Sequence, residues 1–167
     1  MSQLVVQPAL DDAMREILER MFFLEATSAP NPAPHDAEAV VEARLTFDGE
    51  PPGSLRLRVT AKAARAISAD FLGMEVCEVA DHQIGEVVCE LANMVCGSVL
   101  SRVESAVTFR LSAPEIVTNP SSVVDGDTTA TIHSVETSTG RFTAILTTPQ
   151  PGATENAACP AAKKSAY

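Results

Sequence analysis

On either side of a Gly- and Pro-rich stretch the chain alternates apolar and polar residues, and this alternation restricts the fold more than any other feature. Val41, Ala43, Leu45 and Phe47 are separated by Glu42, Arg44 and Thr46; Leu55, Leu57 and Val59 are separated by Arg56 and Arg58. A period of two residues puts alternate side chains on opposite faces of a strand. The intervening Asp48-Gly49-Glu50-Pro51-Pro52-Gly53 must turn, since Gly and Pro favour the backbone angles of turns. The two runs therefore predict an antiparallel hairpin with one apolar face. A hairpin alone cannot hide that face from water, so other elements must cover it.

Helical periodicity supplies the cover. Leu10, Met14, Ile17, Leu18, Met21 and Phe22 recur at helical spacing and predict a first helix over about residues 11–25. Residues 28–36, with Pro30, Pro32 and Pro34, read as a loop. A short helix is expected over about 62–72, closed by Gly73 at the C-cap, then a loop over 73–80 and the longest helix over about 81–104. Strands are expected near 107–111 and near Ile116. A last hairpin pairs 131–136 with 141–147 around Ser138-Thr139-Gly140. Residues 149–167 carry no period and are expected to be a disordered tail after a single domain of residues 1–148. There is no internal repeat. The expected class is α/β in the α+β sense: a mainly antiparallel sheet with helices packed on one face.

Composition narrows the function. The 46% hydrophobic content can fill a core, and with no Trp and a single Tyr, Tyr167, that core must be largely aliphatic. Twelve basic against 22 acidic residues give a formal charge of −10. This balance argues against binding a phosphate backbone or an anionic membrane surface. The first ten residues have no basic and apolar leader pattern, and no apolar run approaches the ~20 residues of a span, so a cytoplasmic protein is expected. Of Cys77, Cys89, Cys96 and Cys159, no two form a C-x-x-C pair. Cys89 and Cys96 stand two helical turns apart, about 10 Å, too far to bridge, and read as buried free thiols. His35 and His133 read as ordinary surface residues.

The informative segment is the long helix. At roughly 100° per residue, Ile84, Val88, Leu91, Val95 and Val99 fall on one arc, the core face. Opposite them Glu86, Glu90, Asn93, Gly97 and Ser101 line up in a narrow stripe. An ordinary solvent face carries Glu, Lys, Gln and Arg. A mid-helix Asn costs about 0.5 kcal/mol against Ala and Gly about 1 kcal/mol, so this stripe gives up local stability where function could use it. Gly97 would let another molecule's backbone come close. No G-x-S-x-G, Walker A or G-x-G-x-x-G motif occurs. His82, Glu86 and Glu90 share a helix face, but one His with two Glu spread over two turns is a poor metal set.

Glu90-Leu91-Ala92-Asn93, followed by Gly97, resembles the E-x-x-N…G signature of the chemotaxis phosphatase family, whose branches are CheC and CheX. The lead-in Asp81-His82-Gln83-Ile84-Gly85 and the first-helix stretch Leu18-Glu19-Arg20-Met21-Phe22-Phe23-Leu24 are similar too. The likeness covers about residues 10–148. Ser98 departs from the Asn that often follows the glycine in CheX-like sequences. The second E-x-x-N of the CheC branch is missing, since Glu16 is followed at that spacing by Glu19, and Glu19 by Phe22. One motif fits the CheX branch and one active site per chain.

The resemblance implies hydrolysis of the aspartyl phosphate on a CheY-type response regulator. Asn93 would hold the attacking water and Glu90 would pair with a lysine at the partner's phosphorylation site, with Glu86, Gly97 and Ser101 as further partner-binding surface. Mg²⁺ would belong to the partner, leaving this chain with no cofactor or metal of its own. The resemblance also implies a homodimer paired through sheet edges. The alternatives are a non-catalytic module that binds a response regulator, for which Glu90 and Asn93 would be unnecessary, and a flagellar switch component, which usually carries a further C-terminal domain.

Overall fold

The structure is a computed structural model that describes residues 3–30, 39–103, 108–118 and 128–150. In chain order the elements are α1 (Gln3–Phe22), β1 (Thr27–Ala29), β2 (Val40–Asp48), β3 (Gly53–Thr60), α2 (Ala61–Leu72), α3 (Asp81–Ser101), β4 (Arg110–Leu111), β5 (Glu115–Ile116), β6 (Thr128–Glu136) and β7 (Arg141–Pro149). The strands form one antiparallel sheet in the order β1-β6-β7-β3-β2-β4, with β5 also on β2. This is the α+β architecture expected from the alternating runs.

Register explains the single core. Ala43 stands opposite Leu57 and Leu45 opposite Leu55. Leu57 in turn faces Ala144, and Val59 faces Phe142. Val135 faces Phe142. Cross-strand partners share a face, so one apolar surface runs across four strands. All three helices pack on that surface, and their buried residues join one cluster with it. Leu10, Met14 and Leu18 of α1, Ile67 of α2 and Val88 and Val99 of α3 are fully enclosed there.

Several expectations are corrected in detail. Helix α1 is already formed at Gln3, through Pro8, and stops at Phe22. A proline normally marks a helix boundary because it lacks an N–H. Here burial of Val6 and Ala9 carries the helix past it. Phe23 turns into the left-handed region (φ 54°) and ends the helix. Met21, expected on the apolar stripe, is exposed. Part of the expected 28–36 loop is strand: Thr27–Ala29 pairs with Ser134–Glu136. His133 is not a surface residue. It is only 8% exposed, under α1, with Nε2 2.9 Å from Asp11 Oδ1. Asp11 accepts from Arg15 Nε at 2.8 Å. Of the described cysteines Cys96 is buried, Cys89 half-buried and Cys77 exposed. The Pro-rich loop with His35 and the tail from residue 151 lie outside the described residues; Pro149, expected to begin that tail, is the last residue of β7. Gly73 ends α2 as expected, at φ 64°, with Met74 N–H donating to Ala69 O at 3.0 Å.

By length and composition α3 is apolar enough to cross a membrane, which the sequence reading did not flag. In this fold it is the central core helix, with nine residues buried.

The helix-free face of the sheet has its own anchor. Glu42 is 1% exposed although it alternates as a polar residue. Arg56 Nε donates to Glu42 Oε1 at 2.7 Å and Arg58 Nε to Oε2 at 2.5 Å. Removing one member of a buried charge cluster leaves the others incompletely compensated, at about 3–5 kcal/mol for full burial. Because both arginines are partly exposed, Glu42→Ala should lower the unfolding free energy by about 2–3 kcal/mol. Urea titration checks this; a change below about 0.5 kcal/mol, the size of an ordinary surface substitution, would show that the clamp contributes nothing.

Candidate functional site

Helix α3 is set in place at its N-terminus. Ala80 is extended and cannot cap with its side chain, but its N–H donates to Gln83 Oε1 at 2.9 Å, which is half of a capping box. Asp81 adds a negative charge in the first turn, where the helix dipole favours it. Arg65 on α2 reaches across, donating to Asp81 Oδ1 at 2.7 Å and to Val79 O at 2.6 Å. The start of α3 is thereby tied to α2.

The buried arc of α3 holds Ile84, Val88, Leu91, Val95 and Val99, as the angular reading requires. It also takes in Val87, Ala92, Cys96 and Leu100. An arc this wide leaves only a narrow outward strip. On that strip Glu86, Glu90 and Ser101 are exposed, and Asn93 and Gly97 are half-buried, although full exposure was expected for both.

Glu86, Glu90 and Asn93 make no side-chain hydrogen bond or ion pair among the described residues. Glu90 and Asn93 are one turn apart, about 5–6 Å between Cβ atoms, so both can address one small target. Gly97 lies one turn further on. A Cβ built there meets nothing within 4 Å, so the chain's own packing does not require a glycine at this position. The lower end of the stripe is occupied: Ser101 Oγ donates to Ser98 O at 2.8 Å, and Arg102 spans Ser98 and Glu16. Among the described residues Glu86, Glu90 and Asn93 thus stand with Gly97 as a stripe without side-chain partners, and Ser101 is bound into local contacts.

Beside Glu86 and Glu90 opens a cleft of about 660 Å³, between the first half of α3, the start of α2 and β5. The sequence reading missed it, because Pro114 and the β5 residues Glu115 and Ile116 are distant in sequence from the first half of α3. Cys89 is on its wall. Burial, with a smaller contribution from Glu115, pushes the Cys89 thiol above its ordinary range. Burial alone pushes Cys96 to about 12. Neither forms a ready thiolate at neutral pH. Among the described residues no group of three or more His, Cys, Asp or Glu is arranged to hold a metal ion.

The family described as chemotaxis phosphatase CheX matches residues 41–137. The chain therefore belongs to the CheX family. No curated protein matches it by sequence. Solved structures share the fold. A chemotaxis protein CheX from Desulfovibrio desulfuricans superposes with a TM-score of 0.68 at 19% identity, over 86% of this chain and 98% of that one. CheX from Vibrio vulnificus gives 0.70 at 17%, over 87% and 97%. The CheX of a CheX–CheY–BeF₃–Mg²⁺ complex from Borrelia burgdorferi gives 0.69 at 12%, over 86% and 97%.

The free space at Gly97 leads to a stability test. Gly97→Ala should raise the unfolding free energy by about 0.5–1 kcal/mol, the helix-interior difference between the two residues. A chemical-denaturation series measures this. A loss of stability would mean that the helix surface at Gly97 is covered in the folded protein.

Proposed function

We propose that this chain hydrolyses the aspartyl phosphate of a CheY-type receiver domain, with Asn93 positioning the attacking water and Glu90 pairing with a lysine at the partner's phosphorylation site. The observation that carries the reading is the pair of polar side chains, Glu90 and Asn93, one turn apart and without side-chain partners among the described residues, beside a glycine over which the described residues leave space. The family is one of chemotaxis phosphatases, and a relative of the same fold has been solved with CheY, BeF₃ and Mg²⁺.

The chemistry suits these residue types. An acyl phosphate is already activated, so catalysis of its hydrolysis is mainly positioning and charge neutralisation. A carboxamide both donates and accepts hydrogen bonds, and can hold a water in line with the scissile bond, as a glutamine does in GTPases. A carboxylate meets an ammonium in a charge-assisted contact. Mg²⁺ is supplied by the receiver, and Glu86 and Gly97 extend the contact surface. Ser101, expected at the end of that surface, contributes less, because its hydroxyl is already engaged. In this reading the working unit is a homodimer joined through a sheet edge, as edges invite pairing. Light scattering at tens of micromolar should then give twice the chain mass, and a monomer mass there would refute the dimer.

The two site residues should fail differently. Asn93→Ala removes a group used in the transition state and should lower kcat by about 10²–10³, by analogy with losing one oriented polar contact, while the complex still forms. Glu90→Ala removes a contact made before and during reaction, and should raise KM as well as lower kcat. Glu86→Ala should lower kcat much less than either. Phosphate release from phosphorylated receivers, with Mg²⁺ and over a range of receiver concentrations, measures all three. Wild-type protein that binds receivers without accelerating their decay would make this a binding module instead. An active protein in which Asn93→Ala is equally active would overturn the assigned role of Asn93.

A further inference from the structure

We propose that the cleft beside Glu86 and Glu90 is a second docking surface for the same receiver, taking a surface segment that presents an apolar side chain next to a Lys or Arg. The proposal rests on the function proposed above and adds a determinant of which receiver is chosen.

The floor of the cleft is apolar. Val41, Ile84, Pro114 and Ile116 contribute to it, and Ile116 keeps 39% of its surface open although it is paired in a strand. Its rim is acidic and uncompensated. Glu86, Glu90 and Glu115 have no hydrogen-bonding or ionic side-chain partner among the described residues; Arg44 stands opposite Glu115 in the strand register without forming an ion pair. Arg65, a cation on the cleft wall, is already committed to Asp81 and Val79 O. An apolar floor with three unneutralised carboxylates complements an apolar side chain flanked by a positive charge. It repels an acidic segment.

The cleft is also continuous with the stripe. Glu86 and Glu90 belong to both, and Asn93 lies seven residues beyond Glu86, about 10 Å along the helix axis. A receiver whose phosphorylated site meets Asn93 must lay adjoining surface over the cleft. At about 660 Å³ the cleft falls in the size range of specific binding sites. A side chain seated there is desolvated at the edge of the interface, which affects affinity and partner choice rather than the chemical step.

Two substitutions at exposed or rim positions test this without touching Glu90 or Asn93. Ala61 is exposed at the start of α2 and lines the cleft; Ala61→Trp fills it. Glu115→Lys reverses one rim charge. In the phosphate-release assay each should raise KM for the phosphorylated receiver by about tenfold and leave kcat within about twofold, the pattern of lost uniform binding. The Glu115→Lys effect should shrink at 0.5 M salt, as screening predicts for an exposed charge. Circular dichroism melting confirms that both variants fold. Unchanged KM in both folded variants overturns the proposal. So does a change of oligomeric mass without a change of KM, which would give the cleft to a second copy of this chain. The outcomes separate from those of the phosphatase reading. If wild-type protein binds receivers carrying beryllofluoride and Mg²⁺ without accelerating phosphate release, and Kd follows the two variants, the cleft stands and the catalytic reading falls. If it neither binds nor accelerates, both fall.

Discussion

Everything in this fold depends on burying one apolar sheet face under α3. The described helices all lie on that face, and α3 contacts both β2 and β3 while also packing against α1 and α2. Nine of its residues are buried. Each fully buried aliphatic side chain contributes about 1.5–3 kcal/mol, whereas an Asn and a Gly in a helix together cost about 1.5 kcal/mol. The packing term exceeds the propensity term several-fold even after allowing for the smaller burial of Ala92. A core helix so strongly held can carry poor helix formers on its outer strip and remain a helix. A marginal surface helix could not. The position of the candidate site on the most buried helix is therefore physically reasonable: rigidity comes from one face, and the free face can be spent on recognition.

The opposite sheet face is held by charge. Glu42, clamped between Arg56 and Arg58, links β2 to β3 where no helix covers them. At the β2 edge the segment carrying β4 and β5 closes the ladder with irregular pairing. Ser112 N–H donates to Thr46 O at 2.8 Å and Val117 N–H to Glu42 O at 2.8 Å. Pro114 stands between the two short strands of this edge. The same irregular segment brings Ile116 against α3, close enough that a Cβ on Gly85 would lie 3.2 Å from Ile116 Cγ1. The small residue at position 85 thus lets the edge segment approach the helix, and that approach makes the cleft.

How far the sequence could be read follows from which forces are local. The β2–β3 hairpin and α3 announce themselves because burial against one face enforces a period of two or of 3.6 residues along the chain. The left-handed cap at Gly73 was equally legible, since glycine enters that conformation without a side-chain clash. The angular stripe of Glu86, Glu90, Asn93 and Gly97 needed only the helix period. What escaped the reading depends on contacts distant in sequence. Strand β1 is three residues long and exists because β6 offers it partners more than 100 positions away. His133 alternates like a surface residue, yet α1 lies over it and places Gln7 and Asp11 at its ring. Glu42 alternates as a polar residue too, and only the cross-strand arginines explain how a carboxylate can sit at 1% exposure. The cleft was invisible for the same reason: its lining comes from four separate stretches of chain.

The thiol closest to the stripe, Cys89, is held protonated by burial and by Glu115; Cys96, behind it, is more strongly so. A covalent route through either would need a thiolate that its surroundings disfavour. The stripe itself offers a carboxylate and a carboxamide. A carboxamide has no useful acid or base chemistry at neutral pH, but it orients water by donating and accepting at once. Such a pair can contribute little to a substrate that must be activated from scratch, where general acid–base groups or a metal ion carry the reaction. It is suited to a substrate that arrives activated, with its own metal and leaving group, on another protein. On the function proposed above, affinity and orientation would set the rate, because holding water and phosphorus in line would be what lowers the barrier. Surfaces that fix the partner's approach then matter as much as the two reacting contacts, and on α3 such surface lies on both sides of Glu90: open helix at Gly97, and an acidic cleft at Glu86.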